Sequence, residues 1–405
     1  MITGLDIGTS SIKGLVVEEK KDGTLAVVTA FKHPSAGVKR GILADPKEAG
    51  TVLRELVIDL QKVSKKAIRN VFVNIQSEHV KCHLSQGMVA VARASQEIHE
   101  DDITRVKEIA GSIKHPLNFM PIHNIVREFS VDDIGDISDP LGMMGNRLGV
   151  STLIIGTFAP HVTQLTETLG RVGITIGGII YDPIAAGRAV ISKQLRQLGT
   201  MMINMGSGVT SLLVYEEGKI LLTKTIPIGS AYVTNDIAMG VQTSVDVAEK
   251  LKVAYGCAQS REIGRKEMID FTEVDTSLRA DLSRKLLSEI IESRLAEVLD
   301  LVDNELKSIG RSIQLPGGVI LTGGAVKLPG MAELVRSEMK LPAKIGFPIL
   351  SGLEVPNPAH AELLDDPEFA TAVGLVYLGA EDGGVVRMPS PVWGSVKKFF
   401  KNFSP

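Results

Sequence analysis

The chain has 405 residues, which is too long for one compact core, so we expect two domains or a two-lobed molecule. Its formal net charge is -3, which argues against a general nucleic-acid-binding protein, because such a protein needs a basic surplus. Only two cysteines, Cys82 and Cys257, are present, so we expect a reducing compartment and not a disulfide-linked secreted scaffold.

The N-terminal residues run directly into a strand pattern, without the charged and then apolar segments of an export signal, so we expect no such signal. The longest apolar runs, such as Val150 to Ala159, are too short to cross a bilayer. We therefore expect any contact with a membrane to be peripheral.

The first element is a predicted β-hairpin whose turn is rich in small residues. A strand over Ile2 to Gly8 is followed by a second apolar run from Gly14 to Val17. Small side chains let a phosphate approach the backbone N–H groups of such a turn. Asp6 could hold Mg²⁺ through water, and Lys13 could reach a β- or γ-phosphate. A plain hairpin with a glycine turn explains this segment equally well.

The same pattern returns about 200 residues later, a separation typical of a domain. Met201 to Gly206 is apolar, a small-residue turn follows, and Leu212 to Tyr215 is apolar again. Asp6-Ile7-Gly8 aligns with Asn204-Met205-Gly206. The repeat predicts two similar halves that face each other across a cleft, with one turn from each half.

Between and after these hairpins the sequence predicts several helices and a small inserted α+β module. The module is strand-like from Ile122 to Phe158, around a loop at Asp139-Pro140. Apolar residues at helical spacing predict helices over Ser95 to Ile113, Val162 to Val172, Thr243 to Tyr255, Leu282 to Ile309 and Phe369 to Leu378. A glycine-rich linker follows the last of them, from Gly379 onward.

A third glycine turn, Leu321-Thr322-Gly323-Gly324-Ala325, ends another apolar run, and Leu328 to Met331 opens a helix. Helix starts and glycine turns carry unpaired N–H groups that suit anions. Three such turns, each at the end of a strand, favour a nucleotide site over ordinary loop chemistry.

These three turns resemble the phosphate-1, phosphate-2 and adenosine motifs of the actin, Hsp70 and sugar-kinase superfamily. The segments 181–187 and 370–375 look like its two connecting motifs. Over nearly the whole chain the sequence is similar to the FtsA family of bacterial cell-division proteins. The resemblance implies an α/β, actin-like (duplicated RNase H-like) two-lobed ATPase fold, with the family's inserted subdomain in lobe 1.

The resemblance also implies a division of the chain. We expect lobe 1 over 1–81, the inserted subdomain over 82–164 and a return to lobe 1 over 165–195. Lobe 2 is expected over 196–228, with a helical, nucleoside-contacting subdomain over 229–312 and a continuation over 313–355. The chain is then expected to return to lobe 1 over 356–379, followed by a linker over 380–390 and an amphipathic helix over 391–404.

The family's cofactors are ATP and Mg²⁺, with Asp6 holding the metal through water. The resemblance places Glu249 and Lys252 at the nucleoside, although their spacing is also that of a surface ion pair on a helix. The full set of implied nucleotide-binding residues is Asp6, Gly8, Thr9, Ser10, Ser11, Lys13, Asn204, Gly206, Ser207, Gly208, Thr210, Glu249, Lys252, Gly323, Gly324 and Ala325.

One position departs from the superfamily pattern. The second phosphate turn commonly begins with Asp, but Asn204 stands here, and an amide lacks the charge that helps hold Mg²⁺ and orient water. We therefore expect at most a weak ATPase, and no catalytic residue is identified.

The family's partners include the C-terminal peptide of the tubulin-like ring protein FtsZ. Arg294 and Glu297 match the region that holds this peptide, and a planar guanidinium suits a carboxylate. A solvated ion pair is the other interpretation. The insert, through the turn at Asp139 to Met143, is expected to mediate head-to-tail self-association and contacts with other division proteins, unless it only stabilises the fold.

The last residues predict a membrane-binding helix. Ser390 and Pro391 suit a helix start, the aromatic and apolar side chains that follow form one face, and the lysines lie beside it. Apolar burial and attraction to anionic lipid favour the membrane surface over core docking. The residues are Val392, Trp393, Val396, Lys397, Lys398, Phe399, Phe400, Lys401 and Phe403.

The sequence therefore predicts a polymerising ATP-binding adaptor that tethers FtsZ filaments to the cytoplasmic side of the cell membrane at the division site. A pilus-assembly actin homologue of the PilM kind is the first alternative. A small-molecule kinase of the same superfamily is the second, although no catalytic carboxylate or substrate pocket is recognisable in the sequence.

Overall fold

The structure is a computed structural model that describes residues 1–112, 118–270 and 281–381. In chain order the first lobe begins with β1 (Ile2–Ile7), β2 (Ser11–Glu19), β3 (Leu25–Pro34), β4 (Val38–Lys39), β5 (Ile42–Leu43), α1 (Pro46–Val63) and β6 (Val71–Ile75). An insert then supplies β7 (Lys81–Ala90), α2 (Glu100–Gly111), β8 (Phe119–Val131), β9 (Ile134–Ile137) and β10 (Arg147–Phe158). The first lobe resumes with α3 (Ala159–Arg171), β11 (Ile176–Tyr181), α4 (Asp182–Val190) and α5 (Lys193–Leu198).

The second lobe starts at residue 200. It contains β12 (Thr200–Met205), β13 (Thr210–Glu216), β14 (Lys219–Ile226), α6 (Ser230–Val241), α7 (Val245–Tyr255), β15 (Met268–Asp270), β16 (Asp281–Ser283), α8 (Arg284–Ser308), β17 (Val319–Thr322), α9 (Met331–Met339) and β18 (Ala343–Ile345). The last elements are β19 (Leu353–Glu354), α10 (Pro358–Leu364) and α11 (Ala370–Ala380).

Each lobe is built on one mixed sheet, and the two sheets share a core pattern. In lobe 1 the order is β11-β6-β1-β2-β3-β19, and in lobe 2 it is β14-β13-β12-β17-β18. In both, a buried first strand pairs antiparallel with the strand after the turn and parallel with a later strand. Asp6 is the penultimate residue of β1 and Asn204 the penultimate residue of β12. The predicted duplication is confirmed.

The insert is a separate layer with its own small core. Its sheet has the order β7-β10-β8-β9, and α2 covers one face. A Cβ at Gly87 would lie 2.5 Å from the carbonyl oxygen of Val106, so the helix can approach β7 closely only over a glycine. The helix begins at Glu100, later than the predicted Ser95, because Glu97, three residues earlier, forms a β-bridge with Met144.

The insert ends earlier than the sequence suggested. Its last strand stops at Phe158, and the expected boundary at Gln164 falls inside α3. Val162, Leu165 and Leu169 of that helix share a core with lobe-1 residues such as Leu53 on α1. Helix α3 is therefore part of the first lobe.

Helices α4 and α11 pack against each other between the two sheets. A Cβ at Gly374 would lie 1.7 Å from the carbonyl oxygen of Ala185, so only glycine permits this crossing. Helix α11 extends to Ala380, so Gly379 and Ala380, which were expected to belong to the linker, are helical. The segment 382–405, which holds the rest of that linker and the predicted membrane-binding residues, lies outside the described residues.

Within the parts of the chain that the structure describes, no helix has both the length and the apolar content to span a membrane.

Candidate functional site

The three glycine turns meet at one cavity of about 460 Å³ between the lobes. All but one of the predicted nucleotide-binding residues line it. The lining members are Asp6, Gly8, Thr9, Ser10, Ser11, Lys13, Asn204, Gly206, Ser207, Gly208, Glu249, Lys252, Gly323, Gly324 and Ala325.

Thr210 is the exception among the predicted residues. Its hydroxyl donates to the carbonyl oxygen of Ile228 at 2.7 Å, and the residue is fully buried. The hydroxyl thus joins β13 to the segment after β14. Thr210 does not line the cavity, so its predicted direct contact with a nucleotide lacks structural support.

The first turn joins β1 to β2 and places a lysine beside a carboxylate. Lys13 Nζ lies 2.8 Å from Asp6 Oδ2, and both side chains are largely buried. Burial by itself would lower the pKa of Lys13, but the charge and the hydrogen bond of Asp6, together with the charges of Glu368 and Asp182, outweigh it, so the net shift of the pKa is upward. The lysine therefore stays protonated and gives the cavity a fixed positive charge.

The second turn is held by the start of α6. The backbone N–H groups of Ser230 and Ala231 donate to the carbonyl oxygens of Gly206 and Ser207, each at 2.9 Å. A Cβ at Gly229 would lie 2.4 Å from the carbonyl oxygen of Ser207, so glycine is required where the helix approaches the turn. The turn is thus fixed before any ligand binds.

The third turn follows β17 and approaches the second turn without a side chain between them. Gly323 has φ +92°, a region that favours glycine, and a Cβ there would lie 2.5 Å from Asn204 Oδ1. Its N–H donates to the carbonyl oxygen of Pro367. Gly323 therefore allows the third turn to pack directly against Asn204, near the end of β12.

A buried carboxylate, Asp182, lies beside Asp6 at the floor of the cavity. Asn74 Nδ2 contacts Asp6 Oδ1 at 2.7 Å and Asp182 Oδ1 at 3.4 Å, so one amide bridges the two carboxylates. Asn204 Nδ2 donates to Asp182 Oδ2 at 2.8 Å, and Thr371 Oγ1 donates to Asp182 Oδ1 at 2.9 Å. Full burial, and then the charge of Asp6, raise the pKa of Asp182 to about 6.

Asp182 was recognised in the sequence only as part of a connecting motif and not as a site residue. The signal was present, because the residue directly follows a buried strand and starts α4. It became a candidate only when the fold brought that strand end to the cleft.

A chain of charged residues along the cavity wall was also missed. Glu368 Oε2 lies 2.5 Å from Lys32 Nζ, and Glu368 Oε1 lies 3.2 Å from Lys327 Nζ. Lys32 is on β3 of the first lobe and Lys327 follows the third glycine turn of the second. Glu368 therefore links the lobes, and these partners are too far apart in the sequence to be recognised there.

Glu249 and Lys252 on α7 form the ion pair that their spacing allows, with Lys252 Nζ 2.7 Å from Glu249 Oε2. Lys252 also donates to Thr234 Oγ1 at 2.8 Å and is 7% exposed. Both residues line the cavity, so they can form an ion pair on the helix and also contact a nucleoside.

Arg294 and Glu297 lie on α8, outside the cavity. Arg294 Nη1 is 2.6 Å from Glu297 Oε2, and Arg294 Nε is 2.5 Å from Asp236 Oδ2 on α6. The guanidinium thus already has two carboxylate partners, one of them on the exposed Glu297 side chain.

The described residues contain no cluster of three or more His, Cys, Asp or Glu side chains placed to hold a metal ion. The cavity offers the carboxylates of Asp6 and Asp182 instead. Such a donor set fits Mg²⁺, which commonly takes one or two carboxylates and completes its shell with water and substrate phosphates.

Comparison with known protein families agrees with this geometry. Residues 201–374 match the family described as cell division protein FtsA, and residues 77–156 match the SHS2 domain inserted in FtsA. The FtsA of Pseudomonas aeruginosa is 32% identical over 94% of this chain and 89% of its own length. The chain belongs to the FtsA family of cell division proteins. The FtsA of Bacillus subtilis is 30% identical over 95% of the chain and 84% of its own length.

Solved structures confirm the actin-like fold. A PilM-PilN type IV pilus biogenesis complex has a chain with a TM-score of 0.65 and 20% identity, over 94% of this chain and 98% of its own. MreB5 of Spiroplasma citri bound to ADP has a TM-score of 0.51 and 13% identity, over 99% of this chain and 98% of its own. The SHS2 match at 77–156 agrees with the insert's end at Phe158 in this FtsA-family chain.

Proposed function

We propose that this FtsA-family protein binds ATP with Mg²⁺ between its lobes, polymerises head to tail, and tethers FtsZ filaments to the inner face of the cytoplasmic membrane at the division site. The observation that carries the proposal is the convergence of three strand-ending glycine turns, from both lobes, on one cavity of about 460 Å³. That volume is within the usual range of small-molecule sites.

ATP suits this cavity because its charges and backbone groups are arranged for phosphates at one end. The turns after β1 and β12 supply N–H groups, and Lys13 supplies a positive charge. The turn after β17, with Leu328 and Pro329, offers flat backbone and apolar surface for a nucleoside. The solved structures of MreB5 from Spiroplasma citri hold ADP and AMPPNP, which supports a nucleotide in this fold.

Mg²⁺ would be held by Asp6 through water, close to Asp182. The metal would neutralise phosphate charge, while Asn74 and Asn204 keep the two carboxylates oriented. The neutral Asn204 amide donates to Asp182 but, unlike an aspartate in its place, supplies no third negative charge. We infer slow ATP hydrolysis, so that nucleotide serves mainly to hold the lobes in a polymerising conformation.

The FtsZ peptide would bind at Arg294 on α8. Its carboxylates would replace Glu297, whose side chain is 61% exposed and is easily displaced, while Asp236 keeps the guanidinium in place. The guanidinium offers the planar donor geometry that a carboxylate accepts.

Attachment to the membrane would use residues 391–404 of the sequence. Their aromatic face and their lysines match an interfacial helix, which by itself binds lipid weakly. Polymerisation would multiply these contacts along a filament and convert weak binding into stable attachment. The inserted SHS2 subdomain would take part in the head-to-tail contact and in binding other division proteins.

Co-sedimentation with vesicles that contain anionic lipid tests the adaptor role. FtsZ is expected to pellet with vesicles only when the full chain and ATP are present, and not with a chain ending at residue 381. Arg294→Glu should abolish the recruitment of FtsZ while leaving attachment to vesicles intact. Arg171→Glu is the matched control, because Arg171 also pairs with a glutamate on its own helix, Glu167, on the exposed face of α3. Equal loss with both variants would contradict the assigned FtsZ site.

The two alternatives have less support. The similarity to the PilM-PilN complex, at 20% identity, establishes only the fold, and the sequence relatives are FtsA proteins. A small-molecule kinase would reveal itself by ATP turnover that a substrate stimulates.

A further inference from the structure

A second concave surface lies next to the nucleotide cavity. It is an open groove of about 530 Å³ at the start of α9. Its apolar lining includes Leu328, Pro329, Met331, Ala332, Ile345 and Phe347. Phe347 is 48% exposed, although a phenylalanine in a groove of this kind would normally be covered. We call this surface the α9 groove.

The rim of the α9 groove is acidic. Glu333, Asp365 and Asp366 line it, and the single cation among its lining residues, Lys327, is already paired. Lys327 Nζ lies 2.7 Å from Asp366 Oδ2 and 3.2 Å from Glu368 Oε1. Glu333 is likewise paired, with Arg336 on the same helix. The groove therefore combines apolar walls with one carboxylate outside these ion pairs, that of Asp365, which suits an apolar segment that carries lysines.

The C-terminal sequence of this chain has that chemistry. Between residues 391 and 404 it contains Trp393 and the three phenylalanines Phe399, Phe400 and Phe403. The lysines 397, 398 and 401 are interleaved with them. At helical spacing the aromatic residues share one face, as an amphipathic helix requires for docking into a groove.

The described chain ends close enough for this segment to reach the groove. The Tyr377 hydroxyl donates to the carbonyl oxygen of Ile349 at 2.6 Å. Glu381, the last described residue, is one helical turn beyond Tyr377, about 6 Å. Phe347 is two residues before Ile349, at most about 7 Å of chain. The distance from Glu381 to Phe347 is at most the sum of these steps and the length of the Tyr377 side chain. The nine residues 382–390 can span roughly 30 Å when extended, which exceeds that sum.

We propose that residues 391–404 of this chain dock into the α9 groove whenever they are not on a membrane, with the aromatic face against Phe347 and Ile345 and the lysines near Asp365. The proposal rests on the proposed function only in treating this segment as an amphipathic helix. One apolar face cannot contact the groove and lipid together. Docking therefore competes with membrane binding and shields the aromatic face of a free protomer.

The fluorescence of Trp393, the only tryptophan of the chain, tests this directly in the full-length protein without lipid. We expect blue-shifted emission that acrylamide quenches poorly. Phe347→Asp should shift the emission to longer wavelength and raise the quenching constant several-fold, and Asp365→Lys should do so to a smaller extent. Ile58→Asp is the control, because Ile58 is 56% exposed on α1 of the other lobe, and it should change nothing.

Three results would overturn the proposal. The first is Trp393 emission that is already fully exposed in the unmodified chain. The second is an equal response to Phe347→Asp and Ile58→Asp. The third is shielding that grows with protein concentration, which would show that the segment docks on a second copy. Circular dichroism of each variant verifies that the fold is retained.

Vesicle binding of the same variants separates this proposal from membrane attachment itself. If docking competes with lipid, Phe347→Asp binds anionic vesicles more tightly than the unmodified chain. Shielded Trp393 without any vesicle binding would refute membrane attachment and leave docking in place. Normal vesicle binding with Trp393 insensitive to the groove variants would refute docking and leave membrane attachment in place.

Discussion

At the floor of the cleft the Asn204 amide faces the buried carboxylate of Asp182, with Asp6 close by. The amide nitrogen donates to Asp182 Oδ2 at 2.8 Å, and Gly323 lies against the amide oxygen. One side chain therefore orients a carboxylate, spaces two turns and lowers the negative charge of the site. An aspartate in this position would still space the two turns. It could not donate a hydrogen bond to Asp182, and it would add negative charge to the site.

Asn204→Asp should destabilise the nucleotide-free protein, because a donated hydrogen bond becomes a contact between two carboxyl groups. We expect a loss of about 1–3 kcal/mol in the free energy of unfolding, measured by urea titration. Mg²⁺ with ATP should recover much of that loss and ATP turnover should rise, since the added charge helps hold the metal. Turnover equal to that of the unmodified protein would contradict our explanation of slow hydrolysis.

Asp182 should also give the stability of the protein a particular pH dependence. Its pKa rises from 3.8 to about 6 on folding, so the folded state binds the proton more tightly across that interval. The free energy of unfolding should therefore decrease as the pH increases from about 4 to 6, by on the order of a few kcal/mol from this group. In Asp182→Asn this decrease should disappear, as measured by urea unfolding at several pH values. An unchanged pH profile would show that Asp182 titrates normally.

At the scale of elements, helices α4 and α11 hold the two sheets together. Gly374 allows the close crossing at Ala185, and Gly187 lies against Leu213 of the lobe-2 sheet, with a Cβ there only 2.3 Å from Leu213 Cδ2. Because α4 and α11 contact each other and the strands on both sides, a change at their crossing affects both lobes.

Gly374→Ala should therefore destabilise the protein by about 3 kcal/mol or more, since the new methyl group meets backbone that cannot move away. Gly170→Ala is the matched control, because Gly170 lies in α3 with open space around it. That control should be neutral or stabilise the fold by about 0.5–1 kcal/mol through helix propensity. Thermal unfolding of both variants decides the matter, and similar midpoints for the two would contradict the crossing described here.

Sequence patterns predicted those elements that local chemistry controls. Both hairpins, the glycine turns and helices α7, α8 and α9 depend on short-range periodicity and turn residues, and the structure confirms them. Asp182 and the Lys32–Glu368–Lys327 chain depend on contacts between distant segments, so only the fold revealed them. The expected end of the insert at Gln164 followed from the family resemblance, and the expected start of the linker after α11 from a change in composition. The packing of the chain changes at other residues, Phe158 and Ala380.

At the scale of the whole molecule, two similar lobes enclose one cavity, and the surfaces proposed for partners lie in different parts of the fold. The insert lies on the first lobe, the α8 surface with Arg294 on the second, and the α9 groove next to the cavity. Leu328 and Pro329 line both the cavity and the groove. A ligand in the cleft and a segment in the groove would thus contact opposite sides of the same short stretch of backbone.

The central claim is that the three glycine turns form one ATP site. Isothermal titration calorimetry of the full chain with ATP and Mg²⁺ tests it most directly. We predict binding to a single site per chain, lost in Ser207→Glu, which adds a negative charge to the second phosphate turn, and retained in Thr51→Glu on the exposed face of α1. The absence of heat from ATP with the unmodified protein, or equal binding by the two variants, would contradict the account.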